Sequence, residues 1–265
     1  MMKITALVEN RSSCDLTPVH GLSLYIETER HKLLFDLGPD GTLLKNAEKR
    51  GIDLGQVDAA VISHGHFDHG GALAAFLKVN HTAKVYIQRR AFEKHFSKSL
   101  GFVKVPVGLD RKLMDHPQVV LVDGEYRIDE ELLLFTVRDT SRFYSTANDT
   151  LYDEQGRDGF AHEQNLMIFG ERNLLVMGCG HCGVANILER AKEYGPKVCI
   201  GGYHLMVPVT KRSVPEDILE GIAGELAGYD MDFYTCHCTG EEAFRYLAER
   251  VARMRYLACG DTIEF

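Results

Sequence analysis

The sequence contains no long apolar run, no evident secretory leader and no excess of basic residues. No apolar stretch approaches the ~18 residues of a membrane-spanning helix. The first ten residues have no apolar core and no cleavage site, so no signal peptide is evident. The formal net charge is −8 and the isoelectric point about 5.8. This acidic balance opposes a broad electrostatic surface for nucleic acid. We therefore expect neither a membrane span nor a nucleic-acid partner.

Cysteine is sparse, with seven residues in a chain of 265, and an odd number cannot all pair. In a chain without a secretion signal, metal binding, catalysis or burial explains such cysteines better than a disulfide framework. We therefore expect a cytoplasmic protein. With 45% hydrophobic residues, the chain can bury a substantial core, and no linker composition divides it. We expect a single domain over residues 1–265, while the oligomeric state, including a homo-oligomer, stays open.

Hydrophobic periodicity predicts strands that begin as hairpins and then alternate with helices, an order that the second half repeats. The predicted strands are 3–9, 22–28, 31–36, 57–62, 84–87, 119–122, 132–137, 165–169, 173–177, 198–200, 232–235, 256–258 and 262–265. The predicted helices are 40–50, 71–79, 91–98, 184–194, one opening at a capping box at 213–216 and ending near 227, and one opening at a capping box at 239–242 and ending near 254. This order suggests two packed sheets with outer helices, an αββα sandwich, although the pattern alone does not rank it above other α/β folds.

Two long segments, 99–115 and 138–161, have no clear periodicity. Loops of this length in a compact domain are usually functional. We expect them to form a lid over a pocket. Arg138, Arg142 and Arg157 in the second segment could pair with a phosphate or carboxylate of a substrate.

The most informative run is 63–71, with the sequence S-H-G-H-F-D-H-G-G directly after an apolar stretch. Imidazole and carboxylate are ligands that suit zinc, iron or manganese. Gly65 removes a side chain that would crowd its neighbours. One metal could take His64 and His66, and a neighbouring metal could take Asp68 and His69.

A second strand–turn–helix transition carries Cys179, His181 and Cys182. Cys179 to Cys182 is also a C-x-x-C pattern, which is typical of a thioredoxin-type redox site and raises the alternative of a non-catalytic metal or redox sensor. The chain has no tryptophan to precede this motif, and no thioredoxin-like module surrounds it. A four-cysteine zinc site with Cys236 and Cys238 would leave the histidine run unexplained. We therefore favour metal binding by Cys179, with Cys182 in the core.

Two further histidines follow short strands. His237 lies between a strand and the start of a helix, in register with the other motifs, and is the candidate for the last metal ligand. His204 follows two glycines and is a candidate ligand, general acid or substrate contact. We expect the remaining His31, His81, His95 and His116 to be surface residues.

The H-x-H-x-D-H run resembles the signature of the metallo-β-lactamase superfamily, and the resemblance extends over nearly the whole chain. The motif order looks most like the branch of proteins named as 7,8-dihydropterin-6-methyl-4-(β-D-ribofuranosyl)aminobenzene-5'-phosphate synthase. The resemblance implies a four-layer αββα fold of the α/β (α+β) class and a dinuclear metal centre. It implies that Asp36 supports the metal-binding run from outside the ligand shell. His162 stands where that branch usually has an acidic residue, so it adds either a metal ligand or a substrate contact.

The resemblance implies a hydrolase with two divalent transition metals, zinc first and iron or manganese as alternatives. His64, His66 and His181 would hold one metal; Asp68, His69 and His237 would hold the other, with Cys179 bridging or close by. Whether His181, His162 or His204 completes the first set stays open. The metals would activate a water, oriented by Asp68, against a small phosphate-bearing, ester or lactone substrate. Synthase or transferase activity on a pterin-related molecule, or phosphodiester cleavage of nucleic acid, are the alternative reactions.

Overall fold

The structure is a computed structural model that describes residues 1–99 and 103–265, so the prediction for 99–115 falls partly outside the described residues. Within the described residues, two seven-stranded sheets form the framework. The first contains β1 (Lys3–Val8), β2 (Ser23–Glu27), β3 (Lys32–Phe35), β4 (Ala59–Ile62), β5 (Lys84–Gln88), β8 (Val119–Val122) and β17 (Thr262–Glu264). The second contains β9 (Tyr126–Arg127), β10 (Leu132–Phe135), β12 (Asn165–Ile168), β13 (Leu174–Val176), β14 (Val198–Gly201), β15 (Asp232–Thr235) and β16 (Met254–Tyr256).

The described helices are α1 (Thr42–Lys49), α2 (Phe67–Gly70), α3 (Leu73–Val79), α4 (Val184–Ala191), α5 (Glu216–Ala227) and α6 (Glu241–Ala248). Single 3₁₀ turns lie at Leu54–Gln56, Arg89–Phe92, Arg111–Leu113, Thr146–Thr150, Lys192–Tyr194 and His237–Thr239. None of the helices within the described ranges has both the length and the apolar character needed to cross a membrane.

The strands are apolar on both faces because each sheet is covered on both sides. In β4, Ala59 and Val61 pack into the core between the sheets, whereas Ala60 and Ile62 pack into the core under α1 and α3. The second sheet packs its other face against α4, α5 and α6. Successive residues of a strand point to opposite faces, so a doubly covered strand reads as a continuous apolar run. The predicted αββα sandwich is confirmed.

Strand direction brings the motif-bearing loops together. β13, β14 and β15 are parallel neighbours, so their carboxyl ends lie at one edge of the second sheet. β4 is parallel to β3 and β5 in the first sheet. The segments after β4, β13, β14 and β15 carry the histidines and Cys179 that the sequence singled out.

The predicted helix 91–98 is wrong. This stretch forms the 3₁₀ turn Arg89–Phe92 and then β6 (Phe96–Ser99). β6 pairs with β7 (Val103–Pro106) and with β11 (Leu151–Tyr152) in a three-stranded sheet. Pairing with distant residues therefore overrides the local helical spacing, as is common for short strands. Both long segments predicted as irregular contribute a strand to this small sheet.

Both predicted capping boxes are also wrong. Helix α5 begins at Glu216 after Pro215, and no side chain caps it. Helix α6 begins at Glu241 without a side-chain cap, and the Thr239 hydroxyl instead accepts a hydrogen bond from the Tyr203 N–H. Helix α6 also ends at Ala248 rather than near 254. The chain then turns into β16, whose parallel pairing with β15 includes the predicted end of the helix.

His31, predicted to be a surface residue, links the two sheets. Its Nδ1 lies 2.9 Å from Asp58 Oδ1 just before β4, and its Nε2 lies 2.6 Å from Asp129 Oδ2 between β9 and β10. Burial opposes the charged form, but the hydrogen bonds to both carboxylates outweigh it and raise the pKa of His31 above its ordinary value.

This geometry predicts a pH-dependent contribution of His31 to stability. A histidine whose pKa is higher in the folded state stabilises the fold fully below its unfolded pKa of about 6.5, and the stabilisation fades as pH rises through the folded pKa. His31→Asn should therefore lower Tm most at pH 5–6 and least at pH 9, in thermal melts across this range. The exposed His81→Asn is the control. An equal Tm difference at every pH would contradict the prediction.

Candidate metal centre

The candidate centre lies where strand ends of the two sheets meet. Segment 63–71, called here the metal loop, follows β4. The Gln164 N–H, beside β12, donates to Ser63 O at 2.7 Å, and its side-chain amide donates to Ile62 O at 2.8 Å. A Cβ atom on Gly178 would lie only 2.1 Å from Ser63 Oγ. Glycine after β13 therefore allows the loops of the two sheets to touch.

The buried Asp36 holds the metal loop from below. Its Oδ1 accepts the Ser63 N–H at 2.7 Å. Its Oδ2 accepts the Ser63 Oγ–H at 2.8 Å and the His69 Nδ1–H at 2.6 Å. Asp36 has a φ of +60°, which is uncommon for a residue other than glycine. Asp36 thus supports the metal loop through three hydrogen bonds.

Four histidines of the centre have their Nδ1 atom engaged by an oxygen. The pairs are His64 with Ser63 Oγ (2.8 Å), His69 with Asp36 Oδ2 (2.6 Å), His181 with Asn148 Oδ1 (2.9 Å) and His237 with Asn10 Oδ1 (2.9 Å). In a neutral ring, an Nδ1–H that donates to oxygen selects the tautomer in which Nε2 carries a bare lone pair. Such outer hydrogen bonds orient metal-binding histidines in proteins.

The bare Nε2 atoms converge in pairs. His64 Nε2 lies 3.3 Å from His181 Nε2, and His69 Nε2 lies 3.2 Å from His237 Nε2. Cys179 Sγ lies 3.2 Å from His69 Nε2. Two nitrogen lone pairs repel each other at this distance unless a cation lies between them. Donors about 2.0–2.1 Å from a tetrahedral zinc are about 3.3 Å apart. The donor set therefore fits divalent metal.

Two neighbouring groups of histidine donors share the Cys179 thiol, which also belongs to a third group with His204 and Cys238. Ligand atoms of His64, Cys179 and His181 lie within 4.8 Å of one another, as do those of His69, Cys179 and His237. Asp68 Oδ2 lies 3.4 Å from His237 Nε2 and 3.8 Å from His69 Nε2, which adds it to the second group. The structure thus brings Cys179 between the two predicted ligand sets.

Burial sets the protonation states of the centre. Desolvation, reinforced by neighbouring imidazoles, lowers the pKa of His64 and His181 well below the ordinary value. Burial also disfavours the Asp68 carboxylate, but His69, His20 and His237 outweigh it and hold the pKa of Asp68 well below its usual range. Burial thus favours the neutral imidazole, the form that binds a cation, at His64 and His181. At His69 burial also opposes the charged ring, but the Asp36 and Asp68 carboxylates outweigh it and raise the pKa of His69 above its ordinary value.

His66 stands slightly apart from these groups. Its ring centroid lies 4.6 Å from that of His64 and 5.0 Å from that of His181. Its Nε2 is buried without a hydrogen-bond partner. The ring also lines the cavity above the centre. His66, the third member of the predicted first set, thus lies beside the other two rings, and its Nε2 has no partner within the protein.

His204 carries a second unsatisfied ring. It is 6% exposed, yet neither its Nδ1 nor its Nε2 has a hydrogen-bond partner. Its ring centroid lies 4.2 Å from that of His181, and its φ of +47° is a strained value for a non-glycine residue. A buried imidazole without partners at a cavity wall is free to contact a bound molecule.

A cavity of about 200 Å³ opens over the donors. Both segments predicted to form a lid contribute to its wall, through Val107 and Leu151. The complete lining is His20, His66, Phe67, Asp68, Ser97, Val107, Leu151, Cys179, His181, His204, Met206, Pro208, Lys211, His237 and Cys238. Lys211 and His20 were not expected there, and Lys211 brings a positive charge to the mouth.

Several candidates lie away from this cavity. Arg142 pairs with Glu225 on α5, and Arg138 lines a different cavity beside Gln88. The predicted contact of these two arginines with a substrate over the metals therefore has no geometric support. The Cys182 thiol donates towards Val137 O at 3.5 Å, and burial raises its pKa well above the ordinary value. This placement disfavours both the redox pair and the four-cysteine site.

Four polar residues that orient the centre escaped the sequence analysis. Asn10 and Asn148 accept the Nδ1–H of His237 and His181. The buried Glu163 accepts the N–H groups of His181 and Cys182, at 2.7 and 2.9 Å, and Glu9 accepts the His237 N–H at 2.6 Å. These partners are distant in sequence from the histidines that they orient. The one available sequence signal was that Glu163 directly follows the candidate residue His162.

Comparisons with known proteins identify the family and relatives of similar sequence or fold. The sequence profile of the metallo-beta-lactamase superfamily matches residues 16–177. An uncharacterized protein of Methanocaldococcus jannaschii is 25% identical over 258 residues, which cover 94% of both chains. The 7,8-dihydropterin-6-methyl-4-(beta-D-ribofuranosyl)-aminobenzene-5'-phosphate synthase of the same organism is 25% identical, over 93% of this chain and 90% of the synthase. The crystal structure of Tm1679, a metal-dependent hydrolase of the beta-lactamase superfamily, superimposes with a TM-score of 0.84 at 24% identity, over 100% and 99% of the chains.

The two donor groups predict two metal equivalents per chain. Protein purified without chelator, or reconstituted with zinc, iron or manganese and desalted, should contain about two metal ions by elemental analysis. Its Tm should rise on metal addition, because a ligand that binds the folded state stabilises it. The exposed Asp115→Ala variant should bind the same amount, and a metal content near zero after reconstitution would rule the centre out.

Proposed function

Because the chain belongs to the metallo-β-lactamase superfamily, we propose that it is a metal-dependent hydrolase acting on a small anionic substrate with a phosphate, ester or lactone group. The observation that carries the proposal is the pairing of bare Nε2 atoms at 3.2–3.3 Å, each backed by an engaged Nδ1. Outer hydrogen bonds of this kind orient histidines that bind a metal through the other ring nitrogen.

We propose two metals. His64, His66 and His181 hold one, Asp68, His69 and His237 hold the other, and Cys179 lies between them as a bridging ligand. Burial and the neighbouring Cys238 thiol raise the pKa of Cys179 in the metal-free chain, so a bound cation is needed to keep a thiolate there. Zinc is the first choice, with iron and manganese as alternatives, because imidazole, thiolate and carboxylate suit all three.

Bound divalent metals would supply the two central effects of hydrolysis, a lowered pKa of water and a polarised substrate oxygen. The protein's own groups orient the reactants. Asp68 reaches the cavity with a carboxylate oxygen 3.3 Å from His20 Nε2 and can accept a hydrogen bond from the attacking water. His204 can donate a proton to the leaving group or hold an anionic oxygen, because both of its ring nitrogens lack partners.

The size and charge of the cavity support a small anionic substrate. Its volume of about 200 Å³ is below the ~300–1,000 Å³ typical of drug-sized ligand pockets, so only part of a larger molecule would enter. Lys211 at the wall can pair with a phosphate or carboxylate. A net charge of −8 disfavours nucleic acid, so phosphodiester cleavage in a nucleic acid is the weaker candidate.

A second candidate reaction follows from one relative. The similarity to the M. jannaschii synthase extends over 93% of this chain, and the product for which that synthase is named carries both a pterin and a phosphate. A pterin-linked phosphate compound is therefore a reasonable test substrate, for transfer as well as hydrolysis. At 25% identity, we rank this below the general hydrolase.

The proposal predicts metal-dependent turnover in a panel of phosphomonoesters, phosphodiesters, lactones, thioesters and a short single-stranded oligonucleotide. Metal-loaded protein should hydrolyse at least one small member, and chelator should abolish the activity. Asp68→Ala removes a ligand and the group that orients the water, so turnover should fall at least about a hundredfold. Asp115→Ala serves as the matched control. Retention of activity within a few-fold in Asp68→Ala would place the chemistry elsewhere.

His204→Ala separates proton donation from metal ligation. If His204 acts on the leaving group, the variant should keep both metals and lose turnover, with a smaller loss for substrates with good leaving groups. Metal content measured beside a leaving-group series tests this, with His81→Ala as the control. Loss of one metal equivalent with an equal loss for all leaving groups would instead make His204 a ligand. Full metal and full turnover would leave it no role in the reaction.

A further inference from the structure

A second buried polar cluster lies behind the metal loop. It consists of His95, Asp158 and His162, each about 2% exposed. These residues do not line the cavity over the metals. They line a separate cavity of about 370 Å³ bordered by Arg90 and Arg157. His95, expected at the surface, is therefore part of an internal network.

Hydrogen bonds fix the tautomer of His162. The Gly65 N–H donates to His162 Nδ1 at 2.9 Å, so this nitrogen carries no proton. The proton of the ring therefore sits on Nε2, which donates to Asp158 Oδ2 at 3.1 Å. Both ring nitrogens are thus engaged, and His162 has no lone pair left for a metal. The alternative that His162 adds a ligand conflicts with this arrangement.

The other end of the network is anchored as well. His95 Nδ1 donates to the same Asp158 oxygen at 2.9 Å, and its Nε2 lies 3.2 Å from Arg90 O. Burial opposes the charge on Asp158, but the hydrogen bonds from both rings outweigh it and hold the pKa of Asp158 below its ordinary value. The carboxylate therefore stays an acceptor for both rings.

Gly65 occupies a tight slot between the two histidines of the H-x-H pair. A Cβ atom there would lie 2.6 Å from Ala91 O and 2.8 Å from the His95 ring. The backbone at Gly65 is thus held by the close approach of Ala91 and His95 and by the hydrogen bond of its N–H to His162. Any shift of this residue moves both His64 and His66.

We infer that His162 is a positioning residue: backed by Asp158 and His95, it clamps the Gly65 N–H and thereby fixes His64 and His66 for metal binding. The inference rests on the proposed metal centre. Loss of partners that orient metal ligands typically weakens metal affinity about 10–100-fold without removing the ligands themselves. The clamp therefore affects affinity, whereas a direct ligand would affect stoichiometry.

Three substitutions of His162 separate these roles. His162→Phe keeps the ring volume and loses both hydrogen bonds. His162→Asn offers an amide oxygen near the position of Nδ1, so it can still accept the Gly65 N–H. His162→Gln places its amide near the position of Nε2, so it can still reach Asp158 and loses the bond to Gly65. Asp158→Asn perturbs the network without touching residue 162, and the exposed His81→Asn is the control.

The measurement is zinc affinity by competition with a chromophoric chelator, beside zinc content at saturation. We expect His162→Phe and His162→Gln to bind at least about tenfold more weakly with unchanged content. His162→Asn should stay within about threefold of wild type, and Asp158→Asn should be weakened several-fold. Circular dichroism of the metal-free proteins checks the fold. If His162→Phe fails to fold, the difference in zinc affinity between His162→Asn and His162→Gln still tests the clamp.

Two results would overturn the clamp. Wild-type affinity in both His162→Gln and His162→Phe would show that the Gly65 bond has no effect on the metals. Loss of one zinc equivalent at saturation in all three His162 variants would make His162 a ligand. Failure of the wild-type protein to bind zinc, iron or manganese would instead refute the proposed metal centre, and this result is distinct from failure of the clamp alone.

Discussion

The engaged Nδ1 atoms of four histidines are the constraint on which the site depends. Once an oxygen accepts each Nδ1–H, the rings must turn their bare Nε2 atoms inwards, where pairs meet at 3.2–3.3 Å. The oxygens come from Asp36, Ser63, Asn10 and Asn148, which lie far apart in the chain. A cation bound between the paired Nε2 atoms would remove the repulsion between their lone pairs and stabilise this arrangement.

The αββα architecture makes this convergence possible. The metal loop follows β4 in one sheet, while Cys179, His204 and His237 follow three parallel strands of the other. The core between the sheets fixes the position of these strand ends relative to one another. The side chain of Gln164, beside β12 of the second sheet, donates a hydrogen bond to Ile62 O at the end of β4 in the first. Backbone strain is concentrated here, since Asp36, His204 and His237 all have positive φ values. Such strain persists only where the surrounding structure enforces it, and it is typical of functional sites.

The sequence predicted what is local and missed what is distant. The H-x-H-x-D-H run and the motifs after later strands were readable because ligand type, glycine and strand ends lie within a few residues. The doubly covered strands were readable because their apolar runs are continuous. The roles of Asn10 and Asn148 could not be read, because an asparagine that orients a ring across the fold has no local pattern. The helix predicted at 91–98 failed for the same reason, since β6 exists through pairing with β7 and β11.

Anomalous diffraction at the absorption edge of the bound metal tests the central claim most directly. Crystals grown with zinc, iron or manganese should show two peaks about 3.5–4 Å apart, the usual spacing of a two-metal site. One peak should lie between His64 and His181 and the other between His69 and His237, with Cys179 beside both. Peaks located only at other residues, or no peak near these histidines in metal-saturated protein, would contradict the account.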